Sequence, residues 1–211
     1  MKKICITGGI ACGKSSVGVL WREFGASVID ADEVCHGLLC HGSPLVERIV
    51  AAFGKGVLNR DGGVNRRVLG RVIFADDKKR QLLNAIVHPE ARHAINLWLK
   101  MQDAGCGQKC DMKARRSDIA AVLIPLVYEV GWETGWDMIV CVASPLSIQI
   151  ARLVRKGFSK KEAVARVAAQ IPLAEKMSKA DYVIFNAGLP AGLRKQTALV
   201  FRSINMDVHA N

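Results

Sequence analysis

The hydrophobic positions of this chain alternate between short continuous apolar runs and helical spacing, a pattern that predicts an α/β fold. Runs rich in Ile and Val indicate buried strands, and they occur at 3–7, 27–32, 119–129, 137–145 and 180–188. After the first run, apolar side chains recur at helical spacing, at Val17, Leu20, Trp21 and Phe24. Strand, helix and strand in this order form a βαβ unit of a parallel sheet, whose active groups collect where the strands end.

Helical patterning replaces strands from Glu33 to about Lys113. The helices predicted there are 45–53, 66–74, 78–87 and 90–102. Pro89 suits the first turn of the last of these, so His88-Pro89 is open to interpretation as a helix start. The polar, Gly-containing stretch 103–118 predicts an exposed, mobile loop. Two further helices are predicted within 146–171, and a closing helix from Pro190 to Ile204.

Together these elements predict an α/β fold: a three-layer sandwich around a mainly parallel sheet, formed by the single domain 1–211. Its parts are a sheet core of 1–32, 118–145 and 176–211, a helical substrate-binding insertion of 33–117 and a basic lid of 146–175.

The net charge of the chain indicates which kind of partner it binds. The 211 residues carry 30 Lys and Arg against 19 Asp and Glu, a net charge of +11. Such an excess favours anionic partners, whether nucleic acid, acidic lipid or polyphosphate metabolites, without choosing among them. No secretory signal is expected after Met1-Lys2-Lys3, and the longest apolar run, 119–127, is too short for a membrane span. We therefore expect a soluble, cytoplasmic protein.

The seven cysteines form no clear framework. A zinc site is conceivable from Cys35 and Cys40 with two nearby histidines, or from Cys106 and Cys110. However, no CxxC pair exists and the spacing fits zinc poorly, so we interpret the cysteines as reduced, small hydrophobic residues.

The segment GGIACGKSS directly follows the first predicted strand and matches the phosphate-loop pattern GxxxxGK[ST] of P-loop NTP hydrolases. Backbone N–H groups of such a loop cradle the β-phosphate, while the lysine bridges the β- and γ-phosphates and the Ser hydroxyl ligates Mg²⁺. The ATP-binding residues predicted from it are Gly8, Gly9, Ala11, Cys12, Gly13, Lys14, Ser15 and Ser16. A chance match is the alternative, but the position between a strand and an amphipathic helix argues against it.

Two further features favour a kinase. Asp30 and Asp32 end the second strand, where a carboxylate is suited to orient or deprotonate an acceptor hydroxyl. Asp32 is alternatively the N-cap of the next helix, and the two roles are compatible. In the lid, Arg152 and Arg155 share a helix face and are suited to neutralise a transferring phosphoryl group, although a solvated basic face is the alternative.

Motifs along nearly the whole chain resemble the dephospho-coenzyme A kinase family. They are ITGGIACGKSSV, VIDADEVCH, FGKGVLNRDGGVNRRVLGRVIF, HPE, IPLVYE, the Gln149–Gly157 series and AQIPLAEKMSKADYVIFNAG. The resemblance implies transfer of the γ-phosphoryl group of ATP to the ribose 3′-hydroxyl of dephospho-coenzyme A, with Mg²⁺, as the last step of coenzyme A synthesis.

The resemblance also implies roles for individual residues. Asp32 corresponds to the base or orienter of the acceptor hydroxyl, and Lys14 and Arg152 to the groups that stabilise the phosphoryl group. Asn186 and Gly188 match the adenine-contacting loop, and the positions in or near the acceptor site are Arg66, His88 and Glu129. From the residues alone, Glu129 is equally well a surface residue after a strand, and spacing does not decide between Arg66 and Arg67.

The chain departs from the family in three places, one of which is the loop 103–118, long for the family and without an assigned function. Ala11-Cys12 replaces the usual Gly-Ser, and the extra Cβ of Ala11 is expected to require a negative φ. Leu123 stands where many members have an acidic residue, which leaves Ser15 and a water-linked Asp30 as the expected Mg²⁺ ligands. Cys12 at a helix N-terminus favours a lowered pKa, which raises the possibility of redox sensitivity.

Two other functions compete with this interpretation. A nucleoside or nucleotide kinase shares the loop, aspartate and lid, but the insertion with HPE argues against it. A P-loop switch or nucleic-acid-binding protein would explain the charge. However, FNAG lacks the Lys and Asp of a guanine-reading NKxD motif, and aromatics are only 6%. The expected partners are therefore ATP and dephospho-coenzyme A, with neither nucleic acid nor membrane.

Overall fold

The structure of the chain, a computed structural model, describes residues 1–74, 76–104 and 118–209. The described strands form one five-stranded parallel sheet in the order β2-β3-β1-β4-β5. They are β1 (Lys2–Gly8), β2 (Ser27–Asp30), β3 (Ile119–Leu123), β4 (Met138–Ala143) and β5 (Tyr182–Phe185). The predicted α/β class with a mainly parallel sheet is confirmed.

Helices connect consecutive strands except β3 and β4, which are joined by the turn segment 124–137 and do not pair with each other. The helices are α1 (Lys14–Glu23), α2 (Ala31–Leu38), α3 (Pro44–Phe53), α4 (Arg66–Phe74), α5 (Asp77–Asp103), α6 (Leu146–Arg155), α7 (Lys160–Ala168), α8 (Leu173–Ser178) and α9 (Pro190–His209). The chain divides into two compact units, one of Met1–Asp30 with Met101–Asn211 and the other of Ala31–Lys100. The boundaries predicted for core, insertion and lid stay predictions.

The first unit is built on the sheet. Every residue of β3 is buried, as are all but the first of β4, so both strands are covered on both faces as their apolar runs predict. Trp21 of α1 is fully buried and meets Phe201 of α9 edge to face at a centroid distance of 5.4 Å. In the register, Ile6 of β1 lies beside Leu123, and Gly8 lies beside Val142. The segment after β1 therefore emerges between the ends of β3 and β4.

The second unit has a core of its own. Its buried side chains come from α3, α4, α5 and the intervening turns, and they are Leu45, Val46, Ile49, Val57, Val64, Leu69 and Val87. Helix α3 starts with a capping hydroxyl, because Ser43 Oγ accepts a hydrogen bond from the Leu45 N–H at 3.3 Å, and Pro44 occupies the first turn.

Helix α5 corrects the prediction of two helices broken at His88-Pro89. It runs without interruption from Asp77 to Asp103 with Pro89 inside. An internal proline costs about 3 kcal/mol. The buried stripe formed by Val87, Ala91, Ile95 and Leu99 continues through that position. Each large apolar side chain contributes about 1.5–3 kcal/mol on burial, so the stripe outweighs the proline.

The predicted loop 103–118 lies outside the described residues, except for 103, 104 and 118. Within the described ranges, no helix combines the length and apolarity that crossing a membrane requires.

Candidate active site

The phosphate loop follows β1 and has the backbone that its glycines predict. Gly8 has φ 141° and Gly13 has φ 97°, both in the region that disfavours side chains. A Cβ at Gly8 would overlap the carbonyl oxygen of Val142, and one at Gly13 would overlap the side-chain amide of Asn186. Lys14 Nζ lies across the loop and donates to the carbonyl oxygens of Gly8 at 3.0 Å and Gly9 at 2.9 Å.

Ala11 contradicts the expectation of a negative φ, because its φ is 58°. A left-handed backbone at a residue with a Cβ is strained and persists only where its surroundings fix it. Here two side chains hold the carbonyl groups of the loop. Arg152 Nη1 donates to the Ala11 oxygen at 2.9 Å, and Asn186 Nδ2 donates to the Cys12 oxygen at 2.8 Å.

Cys12 belongs to the loop, but it is fully buried and is part of the hydrophobic core. Burial raises the pKa of its thiol above the ordinary value, although nearby Lys14 acts in the opposite direction. The lowered pKa expected from the helix N-terminus is therefore wrong. Within the described residues, no group of three or more His, Cys, Asp or Glu is arranged to hold a metal ion, and the zinc alternative that used Cys106 and Cys110 lies outside them.

Behind the loop lies a buried polar network, of which the sequence analysis missed Ser144 and the role of Gln149. Ser144 Oγ is 2.7 Å from the carbonyl oxygen of Asn186, to which it donates, and it accepts from Arg152 Nη1 at 3.1 Å. Gln149 Nε2 donates to the Ser144 carbonyl at 2.9 Å. Ser144 directly follows β4, and a polar residue at a strand's carboxyl end was the available signal.

Asn186 and Gly188, the predicted adenine contacts, differ in their surroundings. Asn186 is buried, its amide supports Cys12 as described, and its backbone N–H donates to Ala143 at 2.7 Å. Gly188 is exposed in the turn before α9. The adenine contact stays a prediction, to which the structure adds a supporting function of Asn186 beneath the phosphate loop.

Of the two predicted lid arginines, Arg152 reaches the loop. Its guanidinium contacts Ala11, Ser144 and the Asn186 carbonyl, the last at 3.5 Å. Arg155 is exposed at the end of α6. The lid region between α6 and α7 is ordered locally by a capping box, in which Ser159 and Glu162 hydrogen-bond reciprocally.

Ser15 and Asp30, the predicted metal ligands, belong to the same unit. Ser15 is exposed in the first turn of α1, and Asp30 ends β2 and is half-buried. Leu123 is buried, with both terminal methyl groups 3.1 Å from where a Cβ of Gly18 would lie, so it packs against α1. A hydroxyl and a carboxylate are hard oxygen donors, which fits Mg²⁺.

The second unit contains three of the four predicted acceptor-side residues, Asp32, Arg66 and His88, while Glu129 belongs to the first. Asp32 is exposed in the first turn of α2, which begins at Ala31, so Asp32 lies inside the helix and not at its N-cap. Arg66 is exposed at the start of α4, and Arg67 beside it is exposed as well. His88 is half-buried in α5, and its pKa is lowered by burial and by Arg92. The lowered pKa favours the neutral imidazole.

Glu129 belongs to a buried ion pair, which its interpretation as a surface residue did not foresee. Its Oε1 lies 2.5 Å from Nζ of Lys176, whose side chain is fully buried, and accepts the Ile171 N–H at 3.2 Å. Lys176 Nζ also donates to the carbonyl of Pro125 at 3.0 Å. The pair ties the turn after β3 to α8. Contact of Glu129 with an acceptor stays a prediction.

A glycine loop with a lysine across it, at the centre of a parallel sheet and backed by an arginine, is suited to bind a triphosphate and stabilise a transferring phosphoryl group. With Asp30 at the end of β2, the fold and site define a P-loop kinase.

Comparison with known proteins specifies the family. The family model for dephospho-CoA kinase matches residues 3–191. A dephospho-CoA kinase of Symbiobacterium thermophilum is 42% identical over 206 residues, covering 96% of this chain and 81% of that protein. The chain belongs to the dephospho-CoA kinase family, which confirms the predicted family and its kinase activity.

Two solved structures have a fold similar to that of this chain. A Thermus thermophilus protein matches with a TM-score of 0.79 at 30% identity, with 96% of both chains covered. A dephospho-CoA kinase from Campylobacter jejuni matches with a TM-score of 0.63 at 25% identity, covering 96% of this chain and 97% of that one.

Proposed function

We propose that the site transfers the γ-phosphoryl group of ATP to the ribose 3′-hydroxyl of dephospho-coenzyme A, with Asp32 orienting or deprotonating that hydroxyl. Lys14 and Arg152 stabilise the charge that spreads over the equatorial oxygens of the phosphoryl group. The N–H groups of the loop from Gly8 to Ser16 bind the β-phosphate. Asn186 and Gly188 lie against the adenine, and the acceptor-binding residues are Arg66, His88 and Glu129.

The observation that carries this proposal is the loop geometry. Gly13 has a positive φ. Lys14 directly after it begins α1, and its Nζ donates hydrogen bonds to the carbonyl oxygens of Gly8 and Gly9. A helix N-terminus preceded by such a loop favours a phosphate group. The lowered pKa of His88 favours a role as a hydrogen-bond partner for the acceptor.

Mg²⁺ fits the oxygen donors on this side of the sheet. Ser15 would hold it directly and Asp30 through water, since Mg²⁺ keeps several waters and takes few protein ligands. When bound, it would neutralise charge on the β- and γ-phosphates. A cytoplasmic location and the absence of nucleic-acid and membrane partners stay predictions.

An acceptor panel tests the reaction. ATP consumption is measured with dephospho-coenzyme A, adenosine and AMP as separate acceptors, and phosphorus NMR locates the new phosphate. We expect turnover with the first acceptor and a 3′-phosphomonoester product. Turnover with adenosine or AMP but not with dephospho-coenzyme A would overturn the proposal.

Substitution of Asp32 tests its role. Asp32→Asn should keep ATP binding and lower kcat by at least roughly 10²-fold, the low end for a positioned base. Glu33→Gln is the matched control, because Glu33 is the neighbouring exposed acid in the first turn of α2. Equal small effects of both variants would show that Asp32 acts only by stabilising the N-terminus of α2.

A further inference from the structure

The end of the predicted lid is attached to the phosphate loop by a side chain to which the proposed reaction assigns no role. Gln170 lies two residues after the end of α7 and is half-buried. Its Oε1 accepts a hydrogen bond from the backbone N–H of Ile10 at 2.8 Å. Ile10 is the third residue of the loop that starts at Gly8. The bond therefore acts on main chain that would surround the phosphates.

This bond completes the fixation of one peptide plane, the one between Gly9 and Ile10. Its N–H is held by Gln170, and its carbonyl oxygen accepts from Lys14 Nζ at 2.9 Å and from the Cys12 N–H at 3.2 Å. A peptide group held at both ends cannot rotate about its flanking bonds without breaking a hydrogen bond. The orientation of the loop's first turn therefore depends on Gln170.

The backbone next to Gln170 is held as well. The N–H of Ile171 donates to the Glu129 carboxylate, which is fixed by the fully buried Lys176. Lys176 also donates to the Pro125 carbonyl, and Thr7 Oγ1 lies 3.4 Å from the same oxygen. Since Thr7 directly precedes Gly8, hydrogen bonds connect the loop to the lid's end on two sides. Gln170 is thus presented to Ile10 by a fixed support.

Another glutamine in the same unit shows what a purely structural role looks like. Gln196 of α9 accepts from the Phe185 N–H at 2.9 Å and donates to the Phe185 carbonyl at 3.1 Å. Both bonds join a helix to strand β5. Gln170, by contrast, bonds to the segment between β1 and α1 that binds phosphate in the proposed function.

We propose that Gln170 is a positioning residue, which orients the phosphate loop and couples it to the lid. Consecutive N–H groups converge on the β-phosphate only if the peptide planes before them are set correctly. By holding the Gly9–Ile10 plane, Gln170 aligns the N–H groups that follow. The inference rests on the proposed binding of ATP at this loop.

Nucleotide binding by Gln170→Met tests the proposal, because methionine has a similar length and no carbonyl oxygen. ADP contains the β-phosphate that the loop cradles and AMP does not. We expect about tenfold weaker ADP binding, the effect of one lost main-chain hydrogen bond, with AMP binding unchanged. The KM for ATP should rise similarly and that for dephospho-coenzyme A should stay constant. Gln196→Met, the matched control, should lower the Tm and leave the ratio of ADP to AMP affinity unaltered.

Hydrogen exchange gives a readout that does not need activity. Amide exchange of Ile10 should become faster in Gln170→Met and stay slow in Gln170→Glu, which retains an acceptor of the same length. Unchanged Ile10 exchange in Gln170→Met, or equal weakening of ADP and AMP, would overturn the proposal. A wild-type protein that binds ADP but does not phosphorylate dephospho-coenzyme A would instead contradict the proposed function.

Discussion

At the scale of single residues, Cys12 shows how burial determines the chemistry of a thiol beside a phosphate-binding loop. The thiolate is the reactive form, and burial raises the pKa of Cys12. We expect iodoacetamide at neutral pH to leave Cys12 unmodified in the folded protein while exposed Cys40 is alkylated, as measured by peptide mass spectrometry. In urea, both should react. Alkylation of Cys12 at the rate of Cys40 without denaturant would contradict this prediction and restore the hypothesis of redox sensitivity.

The loop glycines were predictable from the sequence, whereas the backbone of Ala11 was not. The GxxxxGK[ST] pattern places Gly8 and Gly13 where the chain turns closest to its neighbours, and both have the positive φ that this requires. Ala11 has a positive φ against its local preference. Its carbonyl is held by Arg152, 141 residues away, and the next one by Asn186. Contacts with residues so distant in sequence cannot be predicted from the local pattern, so the predicted sign of φ at Ala11 was wrong.

At the scale of elements, the Lys176–Glu129 pair joins α8 to the turn after β3. Removing one partner of a buried pair leaves an uncompensated charge, so Lys176→Met should lower the free energy of unfolding by about 3 kcal/mol in urea denaturation. Lys179→Met is the matched control, because Lys179 is the C-cap of the same helix and forms an exposed pair with Glu175 at 2.8 Å. It should cost under about 1 kcal/mol. Equal losses in both variants would refute a buried charge pair as the cause.

The elements themselves were largely predictable, and their exceptions have a physical reason. Strands buried on both faces, such as β3 and β4, have continuous apolar runs that identify them directly. Helix α5 continues through Pro89, where a break was expected. The prediction was wrong because it gave more weight to the low helix propensity of proline than to the apolar stripe that continues on both sides of it. Lys176 was missed because nothing in its local sequence shows that it is buried, whereas the position of Ser144 directly after β4 was a signal that went unused.

At the scale of the whole molecule, the parallel sheet followed from the alternation of strand and helix, since parallel neighbours need crossover connections. The strand order β2-β3-β1-β4-β5 was not predicted, because periodicity contains no information on which strands pair. The fold class, the family and the loop therefore came from local patterns. The network of Ser144, Gln149 and Asn186 beneath the loop needed the pairing of β1 with β4 to become visible.

The net charge of +11 has a consequence for the whole molecule, because both proposed substrates are polyanions. A positive field raises the rate of encounter with anionic ligands, and salt screens it over a Debye length of about 10 Å at 0.1 M. We expect kcat/KM for dephospho-coenzyme A to fall as NaCl rises from about 0.05 to about 0.5 M, with kcat unchanged. Lys160→Gln combined with Lys161→Gln, two exposed lysines of α7, should reduce the slope of this dependence. Sucrose at matched viscosity serves as the control for diffusion. A kcat/KM that does not respond to salt would show that the excess charge plays no part in substrate capture.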